Sequence, residues 1–361
     1  MILRPAHGQT WQPSRIGWVR HSEAFSPHPI WESVDKHSVI QQFDSSDKQY
    51  GKHVRLVAAG LMRHGERIDV GFVWQPMSWE QSWRTNGRIS KEVELDGQPI
   101  WRWFEERDLM TPPLESDKLR YDPPLANRFA MNLAVILRPG NGEQELAIVH
   151  RRPDHLAYFA DRYELGVSES VHGDVGWMTR EEMDVENGTP CLERTAFRCL
   201  WQELGIAEKG KLKPAIPEFN VTIKFTALLL NKLNLSPTLV GFAIVNGSLD
   251  NLEKANRSSG EHQVVHSQFG IRNVKDAIPW ERVRSLEATP AGLAWVLHQW
   301  TFDRDCAITP ECRARLILYL WEKLGKQQAE VQYTASLGSC KPPSWWDAKK
   351  KPVETSRQLT E

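Results

Sequence analysis

Two paired prolines, Thr111-Pro112-Pro113 and Asp122-Pro123-Pro124, fall within fifteen residues of each other and divide the chain. Proline supplies no backbone N–H and crowds the residue before it, so neither a helix nor a central strand can run through this stretch. A polar linker is the remaining solution, and it sets a boundary near residue 120. With 361 residues the chain has ample length for a domain on either side.

Before the boundary, His53–Gly60 and Arg67–Trp74 are apolar, alternating runs joined by Met62-Arg63-His64-Gly65-Glu66, the pattern of a β-hairpin. Residues 30–120 therefore read as a small β-rich N-terminal domain. Residues 1–29, rich in Pro, His and Ser, read as an irregular arm. Sixteen tryptophans, with clusters at Trp74, Trp79, Trp83 and at Trp101, Trp103, fit core packing first and an aromatic-lined pocket second.

After the boundary, Met131–Leu137 and Glu145–His150 flank Pro139-Gly140-Asn141-Gly142 and predict a strand pair. Pro190 suits a first helical turn and Gly205 the position just past a last one, which predicts a helix over 190–204. On that helix Cys199, Gln202 and Glu203 share a face apart from Phe197, Leu200 and Leu204. Strands over 221–230 and 238–245, and helices over 290–300 and 310–324, complete a region ending near 325. Residues 326–361, with Pro342-Pro343, Trp345-Trp346 and three consecutive lysines from Lys349, read as a tail.

Charge excludes some partners. The 45 basic and 46 acidic side chains nearly cancel, which removes the electrostatic case for nucleic acid or an anionic membrane as main partner. A small-molecule ligand fits better. No apolar run approaches the roughly 20 residues of a membrane span, and no leader pattern opens the chain, so a cytoplasmic protein is expected. Five cysteines without Cys-x-x-Cys spacing read as free thiols rather than a zinc site. Nothing in the sequence sets the oligomeric state.

The stretch Arg198-Cys199-Leu200-Trp201-Gln202-Glu203-Leu204-Gly205-Ile206 resembles the end of a Nudix box, Arg-Glu-apolar-x-Glu-Glu-x-Gly-apolar. Asn127, Arg151-Arg152 and the segment Glu164-Leu165-Gly166-Val167-Ser168-Glu169 precede it in similar order. The resemblance implies an α+β fold, a Nudix α/β/α sandwich with a mixed sheet over 121–325. More narrowly the chain is similar to the UDP-glucose pyrophosphatase branch, in which a Trp-containing β-rich region also precedes the Nudix fold. The implied ligand is a nucleoside diphosphate derivative, and the implied cofactor, in a catalytic member, is Mg²⁺ on helix glutamates.

Residue by residue, the metal-binding glutamates of the family fall on Cys199, Gln202 and Glu203, and the upstream glutamate falls on Pro190. A thiol is a poor Mg²⁺ ligand and an amide brings no charge. Compensating ligands could come from the preceding loop, with Glu169, Asp174, Glu181, Glu182, Asp184 and Glu186, or from Glu261 in a later loop. The resemblance favours Glu169, whose loop reaches the metal in relatives, with Glu261 second, and Glu203 with Glu169 forms the candidate catalytic pair. Arg198 is a candidate ligand-binding residue, although the resemblance also implies a structural role, in which this arginine holds a neighbouring acid and the loop in place. Arg151 and Arg152 either meet phosphate with their forked donors or cap a strand in solvent. A nucleotide-binding sensor or scaffold and a Mg²⁺-dependent pyrophosphatase both remain open on the sequence.

Overall fold

The computed structural model describes residues 10–22, 25–27, 29–31, 52–64, 67–78, 81–82, 85, 94–95, 97–100, 102, 106, 118–120, 126, 128–140, 142–151, 163–173, 184–230, 236–261, 278–302 and 310–337. The chain divides into two compact units. The first comprises Met1–Met131, Ser168–Ala196 and Lys224–Val240, and the second Asn132–Val167, Phe197–Ile223 and Gly241–Glu361. No described helix is long and apolar enough to cross a membrane.

In the first unit, β1 (Ile16–Arg20), β2 (Lys52–His64), β3 (Arg67–Ser78) and β6 (Lys118–Arg120) form one sheet in the order β1-β3-β2-β6. The hairpin expected from the alternation is present: β2 and β3 pair antiparallel from Lys52 opposite Ser78 to His64 opposite Arg67, with a register shift between Leu56 and Ala58. Strand β1 lies within the stretch expected to be an irregular arm and pairs parallel to β3, with Ile16 opposite Val70. Its own sequence carries little signal, because only Ile16 of its five residues is buried. A second two-stranded hairpin joins β4 (Glu94–Leu95) to β5 (Gln98–Pro99). Phe129 meets Trp18 and Phe72 edge-on and those two are tilted against each other, with centroids 5.1–5.9 Å apart, and Trp74 is buried nearby in sequence. Phe72, Trp74 and Phe129 are core, and Trp18 is half-buried against them.

The larger sheet contains β7 (Ala130–Arg138), β8 (Leu146–Arg151), β13 (Asn220–Leu230), β14 (Pro237–Asn246) and β15 (Val283–Glu287), ordered β13-β14-β7-β8-β15. Two short strands attach to it: β9 (Tyr163–Leu165) to β8 and β10 (Val167–Ser170) to β7. Strand β8 is antiparallel to β7, β9 and β15. Nine of the ten residues of β14 are buried in succession, as expected of a strand covered on both faces.

In the second unit the coverage follows from side-chain alternation. Ala147 and Val149 of β8 join Ala134, Ile136, Phe242 and Leu286 in a core closed by α3 (Pro290–Phe302) and α4 (Pro310–Leu324), while Ile148 and His150 face the other way. There His150 meets the end of a second helical segment, so helices lie on both faces and the architecture is an α+β sandwich. Thr289 caps α3 through its hydroxyl, which accepts from Gly292 N–H at 3.1 Å, and Pro290 occupies the first turn. Helix α5 (Lys326–Leu337), inside the stretch expected as tail, buries Ala329 in the same core.

The helix expected over 190–204 is shorter and changes character. Thr189–Pro190 (β12) instead pairs with Val185–Glu186 (β11) around Asn187 and Gly188, both at positive φ, a two-residue turn matched to Asn-Gly. Helix α1 covers Leu192–Cys199, and Leu200–Leu204 is a π turn. The first helical bond runs from Thr195 N–H to the Cys191 carbonyl, so Cys191 rather than Pro190 opens the helix. Gly205 ends it as expected, at φ 71°, with Ile206 N–H returning to the Leu200 carbonyl.

One carboxylate ties β8 to α4. Glu145 accepts from Arg138 at 2.8 Å, from Lys323 at 2.6 Å and from the Tyr319 hydroxyl. Burial alone would raise its pKa, but these donors outweigh burial and hold it down to about 2. Burial and the Glu145 contact push the Tyr319 hydroxyl well up. A carboxyl depressed in the folded state stabilises the fold above its unfolded pKa, near 4.5, and loses that contribution as pH falls toward 2. Glu145→Gln is therefore expected to cost on the order of 1 kcal/mol at neutral pH, after solvent screening, and to flatten the acid limb. Urea melts from pH 6 down to pH 2 measure this; parallel curves for wild type and variant would contradict it.

Candidate functional site

The π turn sets the geometry at Glu203. Its wider ring shifts the side chains after Cys199 relative to a regular helix, and such turns recur at functional positions. Glu203 is 6% exposed and Cys199 wholly buried. The Cys199 thiol donates to Glu203 Oε1 at 3.5 Å, and His150 Nε2 lies 3.8 Å from Glu203 Oε2. The same Nε2 is 2.7 Å from the Gly166 carbonyl. A carbonyl only accepts, so this contact places the imidazole proton on Nε2. Thiol, carboxylate and imidazole thus form one buried chain.

The turn is anchored from outside through its backbone. Ile278 N–H donates to the Glu203 carbonyl at 2.9 Å, and Asn256 Nδ2 reaches the carbonyls of Leu204 and Ile278. Asn256 lies on α2 (Leu249–Glu261). Gly205 packs so closely that a Cβ would stand 2.7 Å from the Ala255 carbonyl.

The other expected residues take different places. Arg198 is buried and donates to Gln202 Oε1 at 2.9 Å, so it holds the amide at the position where the resemblance calls for an acid. Arg151 ends β8, half-buried, with Tyr163 as its backbone partner. Arg152 lies outside the described residues. Glu169 belongs to the first unit, where its Oε1 accepts from Ser170 N–H at 2.8 Å and lies 3.8 Å from His172 Nε2. Glu261 is the last residue of α2, and its side chain is outside the described residues. Of the other loop acids, Asp184 accepts from His172 N–H and Glu186 lies 3.7 Å from Arg194; Asp174, Glu181 and Glu182 are outside the described residues.

This donor set does not suit Mg²⁺. The ion wants an octahedron of oxygens with carboxylate charge, whereas the π turn and the residue before it offer one carboxylate, one soft thiol and one neutral amide. Both oxygens of Glu203 face protein groups, the thiol and the imidazole. Among the described residues no group of three or more His, Cys, Asp and Glu side chains is disposed to hold a metal ion.

Sequence reasoning passed over His150, Gly166 and Arg315. His150 was readable, since it is the polar member of the face of β8 opposite Ala147 and Val149. Gly166 carried a weaker signal, a lone glycine between apolar residues. Arg315 occupies the apolar stripe of α4, between Cys312 and Tyr319 at helical spacing. A groove of about 470 Å³ lies elsewhere in the second unit, lined by Ala288, Thr289, Lys323, Leu324, Gln332 and Ala335, and includes none of the expected site residues.

No protein-family model matches the chain, and no curated protein resembles it. Among solved structures it is similar to the NUDIX domain of Shewanella oneidensis NrtR complexed with ADP ribose, with 15% identity, 36% of this chain and 68% of that chain covered, and a TM-score of 0.22. It is also similar to DR0079 from Deinococcus radiodurans, with 16% identity, 37% of this chain and 65% of that chain covered, and a TM-score of 0.19. The match thus spans about two thirds of each of those chains. Likenesses this slight establish no family.

Proposed function

We propose that the chain is a Nudix-like protein that binds a nucleoside diphosphate derivative beside the Glu203 turn and does not hydrolyse it, serving as a sensor or scaffold. The observation that carries this reading is the state of Glu203. It is the single carboxylate among the three positions where the resemblance calls for acids, and its oxygens face Cys199 and His150. The ligand class rests on the resemblance over residues 198–206 and on Arg151, which follows His150 at the end of β8 and brings a forked donor suited to phosphate. Arg152 would add a second such donor. Arg198, by contrast, acts by holding Gln202.

The narrower resemblance to the UDP-glucose pyrophosphatase branch makes UDP-glucose the first probe, with ADP-ribose as the second. Calorimetry with each, with and without Mg²⁺, is expected to show binding unaffected by the ion, and chromatography for the hydrolysis products, UMP with glucose 1-phosphate or AMP with ribose 5-phosphate, to show no turnover. Arg151→Ala should weaken that binding by roughly tenfold, the loss of one charge-assisted contact. Turnover that requires Mg²⁺ and disappears in Glu203→Gln would replace this reading with the alternative, a Mg²⁺-dependent pyrophosphatase using Glu203 with Glu169 or Glu261.

A further inference from the structure

We propose that Arg315 is a positioning residue for the Glu203 site, acting through the Gly166 turn and His150. The inference rests on the reading of Glu203 as the site, but its physical basis is separate. Arg315 on α4 is 0% exposed. Its Nη2 donates to Glu164 Oε1 at 2.7 Å. Its Nη1 donates to the carbonyl of Leu165 and faces those of Leu133 and Val167 at 3.4 Å.

The reason those carbonyls converge lies in the sheet. Strand β9 pairs with β8, whereas β10, one residue later, pairs with β7. The chain changes neighbours at Gly166, the ladder splits, and the carbonyls at the split need donors from elsewhere. A guanidinium offers five N–H groups in one plane, enough for a carboxylate and several carbonyls together. A long apolar side chain in the stripe of α4 would serve packing at least as well, since a buried ion pair gains little stability over a hydrophobic replacement. What an apolar side chain cannot do is fix the directions of the carbonyls.

Those directions matter one bond further on. Gly166 adopts φ 68°, its N–H donates to the Ile148 carbonyl at 2.8 Å, and its own carbonyl takes His150 Nε2 at 2.7 Å. Arg315 grips the residues on both sides of Gly166, so it sets where that carbonyl points. The carbonyl in turn fixes the tautomer and ring plane of His150, whose Nε2 faces Glu203 Oε2.

The test compares wild type, Arg315→Lys and Glu164→Gln by ¹⁵N NMR of the histidine rings at one fixed pH, by urea melts, and by calorimetry with UDP-glucose. Lysine keeps the charge but loses the fork. Arg315→Lys is expected to lower stability, to shift His150 away from the Nε2–H tautomer, and to weaken UDP-glucose binding roughly tenfold or more, as misplacement near a site does. Glu164→Gln keeps the oxygen acceptor for Nη2 and should preserve the wild-type His150 signature. A destabilised Arg315→Lys with unchanged His150 signals would overturn the proposal and leave Arg315 a structural residue. If Arg315→Lys does not fold, the double variant Arg315→Met/Glu164→Gln, which removes both buried charges, gives the same readout with the same two outcomes. Absence of UDP-glucose binding in wild type would count against the proposed function, while the ring signals still decide the role of Arg315.

Discussion

Gly166→Ala is expected to be the most damaging single-methyl substitution in the second unit, lowering stability by more than about 4 kcal/mol, a loss seen only when backbone or core is forced apart. The residue holds φ 68°, where any Cβ costs about 1–2 kcal/mol. The new methyl carbon would also stand 2.0 Å from the Leu133 carbonyl oxygen, 2.5 Å from Val135 N and 2.9 Å from Ala134 Cα. All three are backbone atoms of β7, so no side chain can turn aside and the strand itself must move. A domain with 5–15 kcal/mol in hand does not absorb that and also keep the Arg315 contacts beside it. Gly142 supplies the control: its φ is 76°, but nothing lies within 4 Å of its Cβ position, so Gly142→Ala should cost only the backbone share. Urea melts and soluble yields of the two variants measure the difference. Equal losses would mean that the sheet opens freely at Gly166, and the account of the split ladder would then be wrong.

What was legible in the sequence and what was not divide along the range of the interactions. The β2–β3 hairpin, the β7–β8 pair, β13, β14, α3 and α4 are set by local alternation, turn residues and a capping Pro or Gly. Their bounds differ from expectation by a few residues. The start of α1 was misplaced because Pro190 fits a first helical turn as well as a strand end. The choice was made by the Asn187-Gly188 turn and by the bond from Cys191 N–H to the Asp184 carbonyl, which the proline alone does not announce. The π turn was not legible at all. It depends on Ile278 and Asn256 holding carbonyls at its end, two contacts that reach far along the chain.

The site shows the same division more sharply. That Cys199, Gln202 and Glu203 belong to one turn follows from their spacing. That Glu203 would face His150 does not, because 52 residues and a change of sheet neighbours separate them. That the resemblance calls for acids where Cys199 and Gln202 stand was readable in the sequence, but the surroundings of Glu203 were not. The structure adds that a thiol and an imidazole face the oxygens a metal would need.

Placing acids at the positions where the resemblance calls for them should therefore produce the largest gain in metal response available to this chain. Cys199→Glu with Gln202→Glu would bring three carboxylates onto one turn, and position 199 is wholly buried. Without an ion, repulsion among the three and the burial of new charge should destabilise the variant by several kcal/mol. Arg198 would offset part of that cost, because its contact at position 202 becomes charge-assisted and about twice as strong. Mg²⁺ should recover the remainder by mass action, about 2.7 kcal/mol when its concentration reaches a hundredfold over Kd. In thermal melts the variant should rise steadily with millimolar Mg²⁺ while wild type stays flat, because the wild-type carboxylate already faces the thiol and the imidazole. Adding His150→Leu to the variant tests the geometry: removing the N–H that faces Oε2 should tighten the ion further. A wild type that itself responds to micromolar Mg²⁺ would place acids beyond the π turn at the metal and give the hydrolase reading the lead. A restored variant that ignores the ion would show that the π turn holds the three side chains too far apart to share it.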